Sequence, residues 1–229
     1  MKKFYQQYKH IIPLLVYGTI YLTWFALLEK ANSREYTEIY MNIDGKIPFY
    51  EVFVIPYLLW FLYLAVVIVY MFFKNKEDYF KVCIFLATGM TIFLLISTFF
   101  PNCHHLRPRV IVKDNIFAVL VSMLYRVDTS TNLWPSIHVY NSIGAYLAVA
   151  HNKKLAANKF IHASALALSV SIILSTMFIK QHSMFDVLTA FALAVVVYVP
   201  VYRKDLIEKF KANLEQRFPK KALRNLKKS

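Results

Sequence analysis

Long apolar runs separated by short polar turns dominate the chain. Five of these runs, residues 11–28, 52–73, 82–100, 160–179 and 183–202, contain almost no charge. Each is long enough for a helix to cross a hydrocarbon core, which takes about 17–25 residues. Backbone polar groups inside lipid must be satisfied within the segment, so these runs are helices rather than strands. A sixth run, 136–150, is short for a span. It reaches the required length if its helix starts near Pro135 and continues slightly past Ala150. The pattern therefore predicts an all-α membrane protein, a bundle of six transmembrane helices within residues 1–202. Residues 114–127 carry an apolar helical pattern of only three to four turns. That is too short to span, and predicts an interfacial or re-entrant helix in the third loop. The first run follows Met1-Lys2-Lys3 as a signal peptide would, but Leu27-Leu28-Glu29-Lys30 offers no small-x-small cleavage site. It is expected to remain as a helix.

Composition and charge sharpen this picture. Of 229 residues, 58% are apolar and 17% charged, against about half and about a quarter in soluble domains. The net charge of +14 raises nucleic acid as a partner, but the placement of the charges argues against it. Of 27 Lys and Arg residues, 19 fall at the N-terminus, in 74–81, in 153–159 and in the tail, and 8 fall in the alternate loops. Basic residues gather on the cytoplasmic side. Both termini are therefore expected in the cytoplasm of a cell membrane, with the first, third and fifth loops outside. Residues 203–229 read as a basic amphipathic tail, with Leu206, Ile207, Phe210, Leu214 and Phe218 on one face, lying along the anionic inner leaflet. Cys83 and Cys103 form no CxxC or Cys/His cluster, so they are expected to pack rather than bind zinc.

Ionisable groups near a bilayer are costly and point to function. Three clusters fall in the loops assigned to the outside. The first is Leu106-Arg107-Pro108, where Arg107 offers a planar fork for phosphate oxygens. The second is Pro135-Ser136-Ile137-His138. A helix starting there, with Pro135 at its first position, would present backbone N–H groups and the Ser136 hydroxyl as an anion site. His138 at the same end can donate a proton near neutral pH. The third is Lys180-Gln181-His182-Ser183-Met184-Phe185-Asp186. His182 and Asp186 stand at i and i+4, on one helical face, and Asp186 is the single carboxylate within any predicted span. Pairing with Asp186 would fix the His182 tautomer and make its far nitrogen a better base or nucleophile. Each cluster alone has an ordinary explanation: a solvated arginine, a helix cap, a buried hydrogen bond. Their occurrence together on one side of the membrane is the stronger signal.

In this order, Arg-Pro, then Pro-Ser-x-His, then His-x-x-x-Asp-Val resembles the type-2 phosphatidic acid phosphatase superfamily of membrane proteins. The resemblance is clearest from Phe99 to Tyr202. It implies that Arg107, Ser136 and the Ile137 N–H bind phosphate. His138 would protonate the leaving oxygen, His182 would attack phosphorus, and Asp186 would orient His182. It implies no metal and no cofactor. The substrate would be a phospholipid or isoprenoid phosphate taken from the bilayer. Three positions depart from the family pattern: Phe100 replaces a lysine, Ile137 a glycine and Thr176 an arginine. Two phosphate-binding cations are thus missing. Lys180 is the first candidate to replace them, with Arg109, His104 and His105 behind it. Pro-Ser-x-His-Val with Lys-Gln-His-x-x-x-Asp-Val is more similar to the branch containing inositol phosphorylceramide synthases. That branch implies transfer of a phospho-headgroup to a lipid alcohol as the alternative to hydrolysis.

Two other classes of function stand beside the enzyme. Six helices with an intramembrane His and Asp could relay protons in a transporter, although the polar residues gather at one face. A non-catalytic lipid-phosphate-binding protein would also fit the missing cations. His10, His151 and His162 are expected to pack or lie at the interface, and Glu51 to be a solvated helix-start carboxylate. Nothing in the sequence specifies an oligomer.

Overall fold

The computed structural model describes residues 8–31, 35–111 and 115–204. The predicted amphipathic tail falls, beyond Lys204, outside the described residues, as do Lys2, Lys3, Arg34 and Lys113. The chain is built from helices: α1 (Ile12–Glu29), α2 (Val54–Lys74), α3 (Lys76–Phe99), α4 (Ile116–Val127), α5 (Ile137–His151), α6 (Lys153–Ala157), α7 (Lys159–Phe178) and α8 (Met184–Tyr202). Short 3-10 turns, Lys9–Ile11 and Glu51–Phe53, lead into α1 and α2. The segments β1 (Thr37–Glu38) and β2 (Asn102–Cys103) pair in parallel, Thr37 opposite Asn102.

The turns follow from local side-chain chemistry. Asn75 breaks α2 from α3 by leaving helical geometry (φ −153°, ψ 102°), and its side chain accepts from Glu77 N and Asp78 N. Asn115, Asn152 and Asn158 cap α4, α6 and α7 in the same way. Such caps satisfy N–H groups that have no partner within the helix.

Five helical segments are long and apolar enough to cross a membrane: Lys9–Glu29, Glu51–Lys74, Lys76–Phe99, Lys159–Phe178 and Met184–Tyr202. Their outward surface is apolar, with Leu15, Ile20, Phe61, Leu62, Val66, Val195 and Val196 all more than half exposed. Water would penalise such a surface and lipid would not. The protein is therefore an all-α membrane protein.

The sixth predicted span is shorter than the other five. The helix α5 has 15 residues, about 22 Å at 1.5 Å per residue, against a hydrocarbon thickness of about 30 Å. It cannot run further because Asn152 turns extended (φ −78°, ψ 117°) to cap α6. It is also the innermost helix, packed against α2, α3, α7 and α8. The approach to α3 depends on two glycines. A Cβ on Gly89 would stand 2.1 Å from the Tyr140 ring, and one on Gly144 would stand 2.7 Å from the Phe85 ring.

The apolar pattern within residues 114–127 forms the helix α4, which is amphipathic. Ala118 and Val121 are buried, and Val121 joins Val54, Tyr57 and Ile179 in a small apolar cluster. Ile116, Val119, Met123 and Val127 are exposed.

The bundle has two distinct ends. At one, His10 stacks on Phe72, Asp78 accepts from Asn152, and His151 meets Tyr202. At the other, the ends of α1, α3, α4 and α7 meet the starts of α2, α5 and α8. Thr129 Oγ1 donates to Glu29, and Tyr50 N donates to Phe178 O. All three motif clusters fall at this second end.

Candidate active site

The loop between α7 and α8 carries His182, and it is held tightly. Thr176 O accepts from both Gln181 N (2.8 Å) and His182 N (3.0 Å). The helix α8 begins only at Met184, with Ser183 as its N-cap. His182 therefore precedes the helix, and does not share a helical face with Asp186 as the i, i+4 spacing predicts. The contact forms across the first turn. Asp186 Oδ2 lies 3.3 Å from His182 Nδ1 and accepts from Ser183 N at 3.0 Å, completing a capping box. Asp186 Oδ1 has no hydrogen-bond partner.

Ser136 is the N-cap of α5, and Pro135 lies before the helix rather than at its first position. The Ser136 hydroxyl accepts from Val139 N at 3.3 Å, which leaves its own proton free to donate. Ser136 N donates to Asp186 O at 3.3 Å, tying the tip of α5 to the first turn of α8. Ile137 packs its side chain with the Phe93 cluster. His138 lies between Tyr57 and Trp60, at ring distances of 4.5 and 4.4 Å. Its ring centroid is 5.7 Å from that of His182, and its Nδ1 has no partner. The two imidazoles are 8% and 5% exposed. Residues 138, 182 and 186 are thus brought into one small buried cluster.

Arg107 is tied to the loop that carries His182 through the Gln181 side chain. Its Nη2 donates to Asp128 O (2.8 Å), to Thr129 O (2.7 Å) and to the Gln181 side-chain oxygen, and the guanidinium lies 4.4 Å over the Tyr125 ring. Nε remains without a partner. Burial pulls Arg107 below the usual arginine range, with Asp128 opposing the shift. Most of the fork that could grip a phosphate is therefore committed to carbonyl oxygens.

Lys180 does not take the place of the missing cations in this arrangement. Its Nζ donates to Asp44 O at 2.8 Å and to Ile47 O. Burial lowers its pKa, and Asp44 counteracts this. Its backbone is in the left-handed region (φ 55°), which costs a non-glycine residue about 1–2 kcal/mol. Arg109 and His105 are exposed.

His104, by contrast, is buried and structural. Its Nδ1 accepts from Leu106 N (3.3 Å), so Nε2 carries the proton and donates to Gln181 O (2.8 Å). This bond joins the Arg107 loop to the His182 loop. Burial pushes its pKa down to about 4; the Gln181 carbonyl opposes the shift, and His182 adds to it.

Several residues here escape a reading of motifs. Asp44 accepts from Ser183 Oγ at 2.6 Å and Met184 N at 2.8 Å. Asp128 accepts from Tyr57 at 2.6 Å and from Gln181 Nε2 at 3.2 Å. Glu51, expected to be solvated, is 8% exposed and accepts from Asn115 at 3.1 Å. Among the described residues, no group of three His, Cys, Asp or Glu side chains is placed to hold a metal ion.

Comparison of the chain with protein-family models, with curated proteins and with solved structures finds no match.

Proposed function

We propose that this membrane protein cleaves a lipid phosphate ester through a covalent phosphohistidine, with His182 as nucleophile and His138 as general acid. The supporting observation is the buried His138–His182 pair, 5.7 Å between ring centroids, with Asp186 on Nδ1 of His182. The Asp186 carboxylate accepts a hydrogen bond from Nδ1–H of His182 and leaves the Nε2 lone pair free to attack phosphorus. As the Nε2–P bond forms, the ester P–O bond breaks, and the leaving oxygen takes a proton from His138. Water then gives a proton to His138 and attacks phosphorus. The P–N bond breaks, its electron pair returns to Nε2, and phosphate leaves. Arg107 Nε, the Ser136 hydroxyl and the Ile137 N–H at the tip of α5 are the donors for the phosphoryl oxygens.

In this reading α5 is a sixth, shorter span sheltered inside the bundle, and α4 lies at the interface with its exposed apolar side in lipid. Both termini are then cytoplasmic and the site lies at the outer face of a cell membrane, a reading supported by the asymmetry of basic residues.

A second reading is transfer of a phospho-headgroup to a lipid alcohol in place of water. It is favoured by the cations themselves: the Lys180 ammonium and most of the Arg107 fork are spent on carbonyl oxygens. Few donors remain to neutralise a monoester dianion, and a phosphodiester monoanion needs fewer.

The test is turnover by purified protein in proteoliposomes supplied with phosphatidic acid, phosphatidylglycerol phosphate, a polyprenyl diphosphate or a phosphodiester lipid. Each is run with and without an alcohol acceptor, in the presence of a chelator. The proposal expects turnover of at least one substrate, inhibition by vanadate, and loss of activity in His182→Ala and His138→Ala proteins that remain folded. Undiminished turnover in either variant refutes it. Binding of these lipids with no turnover favours a non-catalytic lipid-phosphate-binding protein.

A further inference from the structure

The nucleophile loop is held by a residue from the far end of the sequence. Asp44 is 1% exposed, and both of its carboxylate oxygens are used. Oδ2 accepts from Met41 N at 2.8 Å and from the Ser183 hydroxyl at 2.6 Å, and Oδ1 accepts from Met184 N at 2.8 Å. Its backbone carbonyl accepts from Lys180 Nζ at 2.8 Å. Asp44 therefore holds residues 180, 183 and 184, on both sides of His182. The bond to Met41 N fixes the carboxylate within its own turn, which Asp44 N closes by donating to Met41 O. A carboxylate at the start of α8 also meets the positive end of that helix, so the arrangement is favourable in charge as well as in geometry.

A bond to Ser183 alone would be an ordinary cap. Three features go beyond capping. The contact spans 139 residues, although Ser183 and Asp186 already cap α8 locally. The Lys180 side chain reaches back to the same turn while its backbone sits in the left-handed region. Ser183, between the clamp and His182, also presents the N–H that shares Asp186 Oδ2 with His182 Nδ1. Displacing Ser183 must therefore displace the carboxylate that orients the imidazole.

We propose that Asp44 is a positioning residue for the His182–Asp186 pair: through Ser183, Met184 and Lys180 it fixes the loop so that Asp186 stays on Nδ1 of His182. This rests on the functional reading above only for its effect on turnover; the effect on the imidazole stands apart from it. A misplaced reacting group costs on the order of 100-fold in rate for about 1 Å of displacement.

The test uses the full-length protein in detergent micelles, with ring-labelled histidine and nitrogen–proton correlation spectra. His182→Gln assigns the signal. The wild-type protein is expected to show one His182 tautomer, protonated at Nδ1. Asp44→Asn can replace one acceptor but cannot serve Ser183, Met184 and Met41 together. It is expected to give a mixture of tautomers or a shifted Nδ1–H signal. If the asparagine variant does not fold, Ser183→Ala removes the 2.6 Å bond alone and is expected to shift the signal in the same direction. A His182 signal identical to wild type in the folded variant overturns the proposal. In parallel, the lipid-phosphate panel is expected to show kcat reduced about 10- to 100-fold with KM within about twofold. An unchanged kcat also overturns it. Absence of turnover by the wild-type protein defeats the functional reading instead, and the spectra then decide the role of Asp44.

Discussion

Adding one methyl group at Gly89 should destabilise the protein by about 1–4 kcal/mol, and the structure shows where the cost arises. The new Cβ would lie 2.1, 2.4 and 2.5 Å from three carbons of the Tyr140 ring, whereas ordinary contact begins at 3.4 Å. The ring must retreat by 3.4 − 2.1 = 1.3 Å. It has little freedom to do so. Tyr140 is 1% exposed, stacks on Phe85 at 4.7 Å and 11°, and donates its hydroxyl to Phe85 O at 2.9 Å. Overpacking of this kind costs about 1–3 kcal/mol, and loss of the hydrogen bond adds about 1 kcal/mol. The better helix propensity of alanine returns up to about 1 kcal/mol. Gly18→Ala, where nothing lies within 4 Å of the added atom, provides the control and should be neutral or stabilising. Reversible unfolding in mixed micelles measures both. In a Tyr140→Ala background the penalty at Gly89 should vanish, because the obstructing ring is gone. A Gly89→Ala protein as stable as wild type, or a penalty that persists without the Tyr140 ring, would refute the proposed α3–α5 contact. Tyr140 lies one turn from Ser136 and two residues from His138, so activity should fall with stability.

Three further outcomes follow from the same geometry. Arg107→Lys keeps the charge but cannot reach Asp128 O, Thr129 O and Gln181 together; both unfolding and turnover assays should register the loss, by roughly 2 kcal/mol or more in stability. Acidification should weaken the fold through His104. Above pH 6.5 this group contributes no pH dependence; between 6.5 and about 4 the unfolded chain binds a proton that the folded one refuses, so stability falls as pH falls. The gap caps that loss at about 3 kcal/mol, and His104→Gln should flatten this part of the stability–pH curve. Asn152→Ala should cost about 1 kcal/mol by removing the cap on α6 and the 2.7 Å bond to Asp78, with the unfolding midpoint as readout and little change in turnover per folded molecule.

Much of this architecture is legible in the sequence because lipid imposes a simple rule. Runs of about 20 residues with almost no charge must be helices, and five of them are. The short sixth run illustrates the limit of that rule: its end is set by Asn152, whose choice between continuing α5 and capping α6 is decided by tertiary contacts with Asp78 and Met71. At the site, the residues singled out by chemistry, His138, His182 and Asp186, do come together. Lys180 and Arg107 are used differently from the expectation, because buried carbonyl oxygens compete for their donors and carbonyls leave no trace in a motif. Asp44 was equally hidden. A lone carboxylate in a polar loop reads as solvated, and only the folded chain puts Ser183 beside it. The sequence offers His104 as a spare cation, yet its two hydrogen bonds require the neutral ring.

The proposed mechanism requires a covalent bond at one nitrogen, Nε2 of His182. Wild-type protein mixed with a turned-over lipid phosphate, quenched in alkaline detergent within milliseconds and analysed by mass spectrometry, should carry a phosphoryl or phospho-headgroup adduct on the peptide containing His182. The adduct should be absent from His182→Ala and should disappear on the timescale of product release. Steady turnover without any adduct at His182, or equal turnover after its replacement by alanine, would contradict the mechanism.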